Sequence, residues 1–244
     1  MTNYNQIAET YTQAEDHPIK TYVERFSLAE RLGNLAGQTV LDLACGSGYY
    51  TRLIKRLGAA TVTGVDLSDK MIVLAEANEA ETPLGITYRK QDVTTMGQIG
   101  QFDVVTAAYL LPYADSPATL TAMGRAAFDN LKPGGRFLAI LTSPQLTTAD
   151  FDRYTPYGLR FAADTDLRDG VEIAFAADLT ILVEFSFYFW EQATLERALR
   201  AAGFRALQWH PLHVSPQGSA AFGDAYWQPF LSKPYGVLLE GHKL

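Results

Sequence analysis

Two short segments in the first third of the chain constrain its fold more than any other part of the sequence. Residues 40–48 read VLDLACGSG, an apolar run that enters a glycine-rich loop, and residues 64–68 read GVDLS, an apolar run that ends in Asp66. An apolar run followed by glycines is typical of a buried parallel strand that turns into a helix and opens its backbone to a ligand. The pair therefore predicts one half of a nucleotide-type site at the edge of a parallel sheet.

A carboxylate placed just before the glycines narrows the choice of ligand. Asp42 precedes Gly46 and Gly48 in the first segment. A loop for pyrophosphate presents helix-end N–H groups to negative charge, which a nearby carboxylate would oppose. An ammonium or sulfonium group would instead be attracted by that carboxylate. The sequence thus indicates a cationic nucleoside such as S-adenosylmethionine.

Composition excludes several other classes of protein. The chain has 244 residues, 48% of them apolar, which is enough for one sizeable core with a smaller attached element. Its net charge is −7 and its basic residues are scattered, which argues against a nucleic-acid partner. Cys45 is the single cysteine, so no intramolecular disulfide forms and a reducing compartment is expected. No secretory leader and no membrane-spanning run are evident. We expect a soluble cytoplasmic protein, monomeric or homodimeric.

The periodicity predicts strands that alternate with helices, as in a doubly wound parallel sheet. A turn at 132–135 is expected before the fifth strand, and Ser68 is expected to cap a helix. The predicted strands are 39–43, 61–65, 86–90, 102–107 and 136–141, and the predicted helices are 48–57, 69–80 and 119–131.

The pattern changes after residue 142. Residues 144–170 show little periodicity, and two β-branched and aromatic runs follow, at 171–175 and 179–190. The simplest interpretation is a single domain over residues 1–244 with an N-terminal helical lid at 1–35 and an inserted β element at 144–190. Two lid helices separated at Pro18, a helix at 194–202 and terminal strands at 204–212 and 236–242 complete the expected elements.

The motifs in this order resemble the class I S-adenosylmethionine-dependent methyltransferases. The resemblance is carried by LDLACGSG (41–48), GVDLS (64–68), QDV (91–93), FDVV (102–105) and LKPGGRFLAI (131–140). It implies a Rossmann-like seven-stranded sheet, mostly parallel with an antiparallel last strand, and methyl transfer by in-line displacement that leaves S-adenosylhomocysteine. Ala44 replaces the usual first glycine of the loop, and we expect the turn to tolerate it if its φ stays negative.

The resemblance also implies a set of cofactor-binding residues. Asp66 is expected to accept the ribose hydroxyls, Asp92 to accept the adenine amino group, and the loop glycines to approach the methionine part. Each of these residues also has a purely structural interpretation, as a turn or core residue. The expected cofactor-binding set is Tyr11, Asp42, Ala44, Gly46, Gly48, Asp66, Leu67, Met71, Asp92, Val93 and Ala108.

No base or metal site stands out. Many relatives place a histidine shortly after the fourth strand, where this chain has Pro112. His17 and His213 are the remaining candidates for a catalytic base, which is needed only if the acceptor must lose a proton. The histidines are dispersed without metal-ligand spacing, so no metal is expected.

Aromatic residues in the insertion give the best indication of the acceptor. They are Tyr154, Tyr157, Phe161, Phe175, Phe185, Phe187, Tyr188, Phe189 and Trp190. Part of this set must be core, and the remainder could cover a planar small molecule. We select Tyr113, Tyr154, Tyr157, Tyr188 and Trp190 as candidate substrate contacts.

The layout is similar to small-molecule methyltransferases of secondary metabolism, including N-methyltransferases of azapteridine (toxoflavin) type. It favours N-methylation of a small aromatic or heterocyclic acceptor, with O-methylation of a hydroxylated metabolite as the alternative. Two other classes stay open: an NAD(P)-binding dehydrogenase, although Thr51 stands where its third glycine belongs, and a non-catalytic S-adenosylmethionine-binding protein.

Overall fold

A seven-stranded sheet organises the protein. The computed structural model describes residues 17–162, 167–178 and 182–244. The strands of the sheet are β1 (Thr39–Leu43), β2 (Thr61–Asp66), β3 (Ile86–Lys90), β4 (Phe102–Ala108), β5 (Leu131–Thr142), β9 (Arg205–Pro211) and β10 (Gly236–His242). They lie in the order β3-β2-β1-β4-β5-β10-β9. Strand β10 runs antiparallel to both of its neighbours, and the other pairs are parallel. This arrangement confirms the predicted Rossmann-like sheet with its antiparallel last strand.

Helices cover both faces of this sheet. The helix that begins with a π-helical turn, Lys20–Glu24, continues as α1 (Arg25–Leu32). Ser68 caps its helix as predicted, because its hydroxyl accepts the Met71 N–H at 3.2 Å. The further helices are α2 (Tyr49–Arg56), α3 (Asp69–Glu81), α4 (Pro117–Asp129), α5 (Gln192–Ala202), α6 (Pro216–Phe222) and α7 (Asp224–Ser232).

Strand alternation divides the core into two hydrophobic clusters. Val40 and Val104 lie in one cluster, and their neighbours Leu41 and Val105 lie in the other. Successive side chains of a strand point to opposite faces, so each cluster fills one side of the sheet. The strand ends are thereby held at one edge, where the loops after β1, β2, β3 and β4 meet.

A second, three-stranded antiparallel sheet is built by the insertion. Its strands are β6 (Leu159–Phe161), β7 (Val171–Asp178) and β8 (Leu182–Phe189), in the order β6-β7-β8. A 3₁₀ segment, Thr148–Tyr157, leads into it from β5. The inward-facing residues of this sheet belong to the same hydrophobic cluster as α1 and α2. The insertion therefore packs beside the residues that follow β4.

The structure differs from the sequence expectations at two places. Residues 132–135, expected as a turn, are part of β5 because the Lys243 N–H donates to the Gly135 carbonyl at 3.0 Å. Helices α6 and α7 were not anticipated; Pro216 begins the first of them and Pro229 lies inside the second. The first of the two expected lid helices lies outside the described residues.

Within the part of the chain that the structure describes, no helix has the length and apolar character that a membrane crossing requires.

Asp103 at the start of β4 ties three strands together. Its carboxylate accepts the Thr39 N–H and hydroxyl, both at 2.8 Å, and the Lys132 ammonium at 2.8 Å. Although burial pushes its pKa upward, the bonds from Lys132 and Thr39 outweigh that effect and lower the pKa of Asp103 to about 2. A lowered folded-state pKa stabilises the protein above the unfolded-state value of about 4, and this contribution is lost as pH falls towards 2.

We predict that Asp103→Asn lowers the free energy of unfolding by about 1 kcal/mol at pH 7, because the partly exposed site is screened by solvent. The difference from the wild type should shrink between about pH 4 and pH 2. Urea unfolding at several pH values measures both effects. A deficit that stays constant over this range would contradict the role of the charge.

Candidate cofactor and acceptor sites

The glycine loop between β1 and α2 uses three left-handed backbone positions. The φ angles are 55° at Ala44, 56° at Gly46 and 91° at Gly48. A Cβ on Gly48 would stand 2.3 Å from the Tyr88 hydroxyl, so this position requires glycine for space as well as for its φ. A Cβ on Gly46 would meet nothing within 4 Å, so the loop is open in front of this residue.

Ala44 departs from the expectation about its backbone. We expected the substitution of the usual glycine to be tolerated with a negative φ, and this is wrong, because its φ is 55°. The left-handed conformation brings Cβ close to the following carbonyl and costs an L-residue about 1–2 kcal/mol. The loop therefore holds strain that a glycine would not have.

Asp42 lies under the loop rather than at its surface. Its Oδ2 accepts the Thr51 hydroxyl at 2.6 Å and its Oδ1 accepts the Thr106 hydroxyl at 2.7 Å. Burial raises the pKa of this carboxyl to about 6; the two hydroxyl bonds offset that shift in part, and the charge of Asp66 adds to it. Asp42 thus joins β1 to α2 and β4 from beneath the loop.

Asp66 stands at the carboxyl end of β2 and contacts the loop directly. Its Oδ2 accepts the Gly46 N–H and its Oδ1 accepts the Ser68 N–H, both at 2.8 Å. Burial raises the pKa of Asp66, and these backbone N–H groups act in the opposite direction. The carboxylate therefore connects the ends of β1 and β2 and orients the open face of the glycine loop.

Residues after β2 and β3 form an adjoining wall. Met71 and Val93 are buried, whereas Leu67 has 62% of its surface exposed beside them. Asp92 accepts both the N–H and the hydroxyl of Thr94 through Oδ1, at 2.8 and 2.7 Å.

One feature at this edge of the sheet favours a bound ligand. The buried amide oxygen of Gln91 accepts no hydrogen bond from the described residues. A buried polar atom without a partner is costly unless water or a ligand engages it. Of the cofactor-binding residues expected from the sequence, the structure gathers ten at this sheet edge, and Tyr11 lies outside the described residues.

A cavity with about 890 Å³ of empty space, including the open solvent at its mouth, lies at the end of β4. The insertion supplies its apolar wall, and the segment around α1 and the residues after β4 supply its polar end. Its lining residues are His17, Lys20, Glu24, Tyr109, Pro112, Tyr113, Thr142, Leu159, Phe161, Phe175, Ala177, Phe185, Phe187 and Tyr235. Cavities lined mainly by aromatic and apolar side chains, with a few polar groups at one end, are typical of sites for small organic molecules.

A buried carboxylate organises the polar end of this cavity. Glu24 accepts the hydroxyls of Tyr50 at 2.5 Å, Tyr235 at 2.6 Å, and Tyr109. Burial, together with the charge of Glu24, raises the pKa of Tyr109, so its hydroxyl keeps its proton. Tyr109 itself has a φ of 60°, which is unusual for a bulky residue. Tyr50 follows the glycine loop and Tyr109 follows Ala108, so this cluster borders both the loop and the cavity.

The two histidine candidates lie in different surroundings. His17 lines the cavity, but its Nε2 lies 2.7 Å from the Tyr157 carbonyl and its Nδ1 accepts the Ile19 N–H at 3.3 Å. Since Nε2 must donate to the carbonyl, both ring nitrogens are engaged. His213 is exposed, and its backbone bonds Ser27 away from the cavity lining.

Of the five candidate substrate contacts, Tyr113 lines the cavity and the other four lie elsewhere. Tyr154 and Tyr157 are buried and donate their hydroxyls to the carbonyls of Lys233 and Tyr226. The Trp190 indole donates to the Ala114 carbonyl at 3.1 Å, and Tyr188 packs against the cluster on the other face of the sheet.

Sequence reasoning missed Glu24, Tyr109 and Tyr235 at the polar end of the cavity. Glu24 lies within a helical pattern whose charged residues are ordinarily solvated, and Tyr235 follows a helix that was not anticipated. Tyr109 had a signal, because it directly follows the strand that ends at Ala108.

Among residues 17–162, 167–178 and 182–244, no three side chains of metal-binding type lie close enough together to hold an ion.

Comparison with known proteins agrees with this geometry. Residues 40–135 match a family model described as a methyltransferase domain. Over 109 residues the chain is 37% identical to a ubiquinone biosynthesis O-methyltransferase of Pseudomonas paraeruginosa, a match that covers 44% of this chain and 45% of that protein. The chain thus spans less than half of the length of the curated relative it matches.

Solved structures share the whole fold at low identity. An S-adenosylmethionine-dependent methyltransferase from Mesorhizobium loti superposes with a TM-score of 0.64 at 21% identity, over 93% of this chain and 99% of that one. The DhpI–SAH complex superposes with a TM-score of 0.62 at 21% identity, over 98% and 92% of the two chains.

The pKa of Asp42 makes a testable prediction about stability. Because its folded-state pKa is raised from about 4 to about 6, its stabilising effect is complete below pH 4 and is lost as pH rises through 6. The Asp42→Asn variant has no titrating group at this position, so it does not lose this stability as pH rises. The unfolding free energy of the variant relative to the wild type should therefore rise by about 2–3 kcal/mol between pH 4 and pH 7.

Chemical unfolding at half-unit pH steps measures this difference. Asp152→Asn, the same substitution at an exposed position, serves as the control. A flat profile for Asp42→Asn would show that its carboxylate is not shifted as described.

Proposed function

We propose that this chain, which residues 40–135 identify as a class I S-adenosylmethionine-dependent methyltransferase, methylates a nitrogen or oxygen of a small aromatic or heterocyclic molecule. One observation carries the proposal about the acceptor. The glycine-loop site and the aromatic cavity adjoin at Tyr109, which lines the cavity and directly follows Ala108 at the end of β4. A methyl donor on one side and an acceptor on the other would meet there.

The residues around the glycine loop fit the roles of a cofactor site. When bound, S-adenosylmethionine supplies an activated methyl group on a sulfonium. We assign the ribose hydroxyls to Asp66, whose carboxylate is already oriented by Gly46 and Ser68. Met71, Val93 and Leu67 suit an adenine ring. The unpartnered amide oxygen of Gln91 adds a hydrogen-bond acceptor on that side. Asp42 acts on the cofactor through the loop that it supports from beneath.

The apolar wall of the cavity supports a planar acceptor. Phe161, Phe175 and Phe185 form a stacked series with ring centroids 5.6 and 5.0 Å apart. Aromatic walls bury planar rings through area and offset stacking. In-line transfer gains most of its rate from holding the two reactants aligned without water, which such a wall provides. The chain's own part in catalysis is then positioning and exclusion of water.

The relatives' names leave the acceptor atom open. The O-methyltransferase of Pseudomonas paraeruginosa matches this chain over 109 residues, and the match to the methyltransferase domain model ends at residue 135. That domain contains the cofactor-side residues but none of the β6–β8 insertion. N-methylation and O-methylation therefore both belong to the proposal.

Asp66→Ala should weaken the binding of S-adenosylhomocysteine at least about tenfold, because buried hydroxyls lose a charged acceptor. Asp69→Ala is the matched control, since Asp69 lies three residues away in an exposed ion pair with Lys90. Calorimetric titration of wild type and variants, with NAD as a third ligand, measures this. Unchanged affinity in Asp66→Ala would contradict the ribose assignment. Binding of NAD alone would contradict the methyltransferase function.

Ala177→Phe should fill the cavity and abolish the binding of a planar probe such as 2-naphthol, while binding of S-adenosylhomocysteine stays within about threefold. Ala177 is buried in the cavity lining, whereas Ala174, on the same strand, is exposed. Ala174→Phe therefore serves as the control and should leave both ligands unaffected. Ligand-observed NMR measures probe binding. Retained 2-naphthol binding in Ala177→Phe would place the acceptor elsewhere.

A further inference from the structure

We infer that the polar end of the cavity selects acceptors that carry an O–H or N–H bond on the heteroatom presented to Tyr109. This inference rests on the proposed function, because it concerns the acceptor side of the same site. At this contact it disfavours carboxylates and imine-type ring nitrogens, which bring only lone pairs. The substrate class is therefore a phenol, an amine or an N–H heterocycle.

The direction of one hydrogen bond carries this inference. Tyr109 donates its hydroxyl proton to Oε1 of Glu24. A tyrosine hydroxyl has one proton to donate, and a carboxylate can only accept. With its proton directed at Glu24, Tyr109 presents oxygen lone pairs to the cavity it lines. A ligand group next to this oxygen must therefore bring the hydrogen.

The burial of Glu24 keeps that proton in place. Glu24 is 3% exposed, and its two oxygens also receive the hydroxyls of Tyr50 and Tyr235. Hydrogen bonds to a buried carboxylate are strong, and removing a donor from a buried charge is costly. Turning the Tyr109 hydroxyl towards a substrate would remove such a donor, so the orientation is imposed by the protein.

The lining also contains His17, Lys20 and Thr142. Both ring nitrogens of His17 are engaged with backbone groups. The Lys20 ammonium lies 5.0 Å from the ring centroid of Tyr49, on the side of α2. Thr142 has a hydroxyl that can serve as donor or acceptor. Tyr109, whose hydroxyl is oriented by Glu24, directly follows Ala108 at the end of β4 and is the group on which the inference rests.

Three naphthalene probes that differ at one position test the inference. They are 2-naphthol, 2-methoxynaphthalene and 2-naphthoate, titrated by ligand-observed NMR into protein saturated with S-adenosylhomocysteine. We expect 2-naphthol to bind at least about fivefold more tightly than each of the other two, since only it supplies a donor. Equal binding of 2-naphthol and 2-methoxynaphthalene, or no binding of any probe, would overturn the inference. Tighter binding of 2-naphthoate would instead assign this end to an anion near Lys20.

Two variants connect the preference to its cause. Tyr109→Phe removes the accepting oxygen, and Glu24→Gln frees a tyrosine hydroxyl to donate into the cavity. In both, the preference for 2-naphthol over 2-methoxynaphthalene should fall below about twofold. Tyr226→Phe, which alters a tyrosine outside the cavity lining, is the matched control and should keep the wild-type preference. A preference that survives in both cavity variants would show that Tyr109 is not its source.

Binding of S-adenosylhomocysteine to every variant separates the possible failures. Affinity within about threefold of the wild type shows that a variant is folded with an intact cofactor site. If the wild type itself does not bind this nucleoside, the proposed function fails and the probe results lose their premise. If only one of the two cavity variants fails to bind S-adenosylhomocysteine, the inference is judged from the other variant and from the preference of the wild type.

Discussion

The polar end of the cavity depends on one buried carboxylate with three tyrosine donors. Glu24 accepts hydroxyls from Tyr50 after the glycine loop, from Tyr109 after β4 and from Tyr235 before β10. Four segments that are far apart in the sequence thereby converge on one charge. A carboxylate removed from water is stable only while its donors stay in place. The position of the α1 segment, the turn after β4 and the entry to β10 are therefore coupled to each other.

Two other carboxylates hold the glycine loop in different ways. Asp42 is fully occupied by the hydroxyls of Thr51 and Thr106, and its raised pKa, about 6, measures the cost of burying it there. Asp66 is held by backbone N–H groups at the end of β2. From the sequence, Asp42 was expected to attract a cationic ligand through its charge. The structure gives it a framework role as well, since Thr51 binds Asp42 at the position where a dinucleotide loop would have its third glycine.

Local patterns predicted most of the main sheet, because each β–α unit has its own strand, glycine or cap signal. The Ser68 cap and the strands 39–43 and 86–90 agree with the structure to the residue. Elements that depend on distant partners were harder to predict. Residues 132–135 become strand only because the C-terminal segment pairs with them, and Glu24 is buried only because three distant tyrosines surround it. Single-segment periodicity carries no information about such partners.

In the insertion, too, the sequence alone did not show which aromatic residues line the cavity. Strand alternation requires that only one face of β7 and β8 can reach the cavity, and Phe175, Phe185 and Phe187 are on that face. Tyr188 and Trp190 follow at the end of β8, where the chain passes to the other cluster, so an aromatic side chain alone did not identify a wall residue. The matched methyltransferase domain, residues 40–135, includes none of these positions and neither Glu24 nor Tyr235. The cofactor is therefore inferred from the matched residues 40–135. The chemistry of the acceptor has to be inferred from a cavity that is built mainly by the rest of the chain.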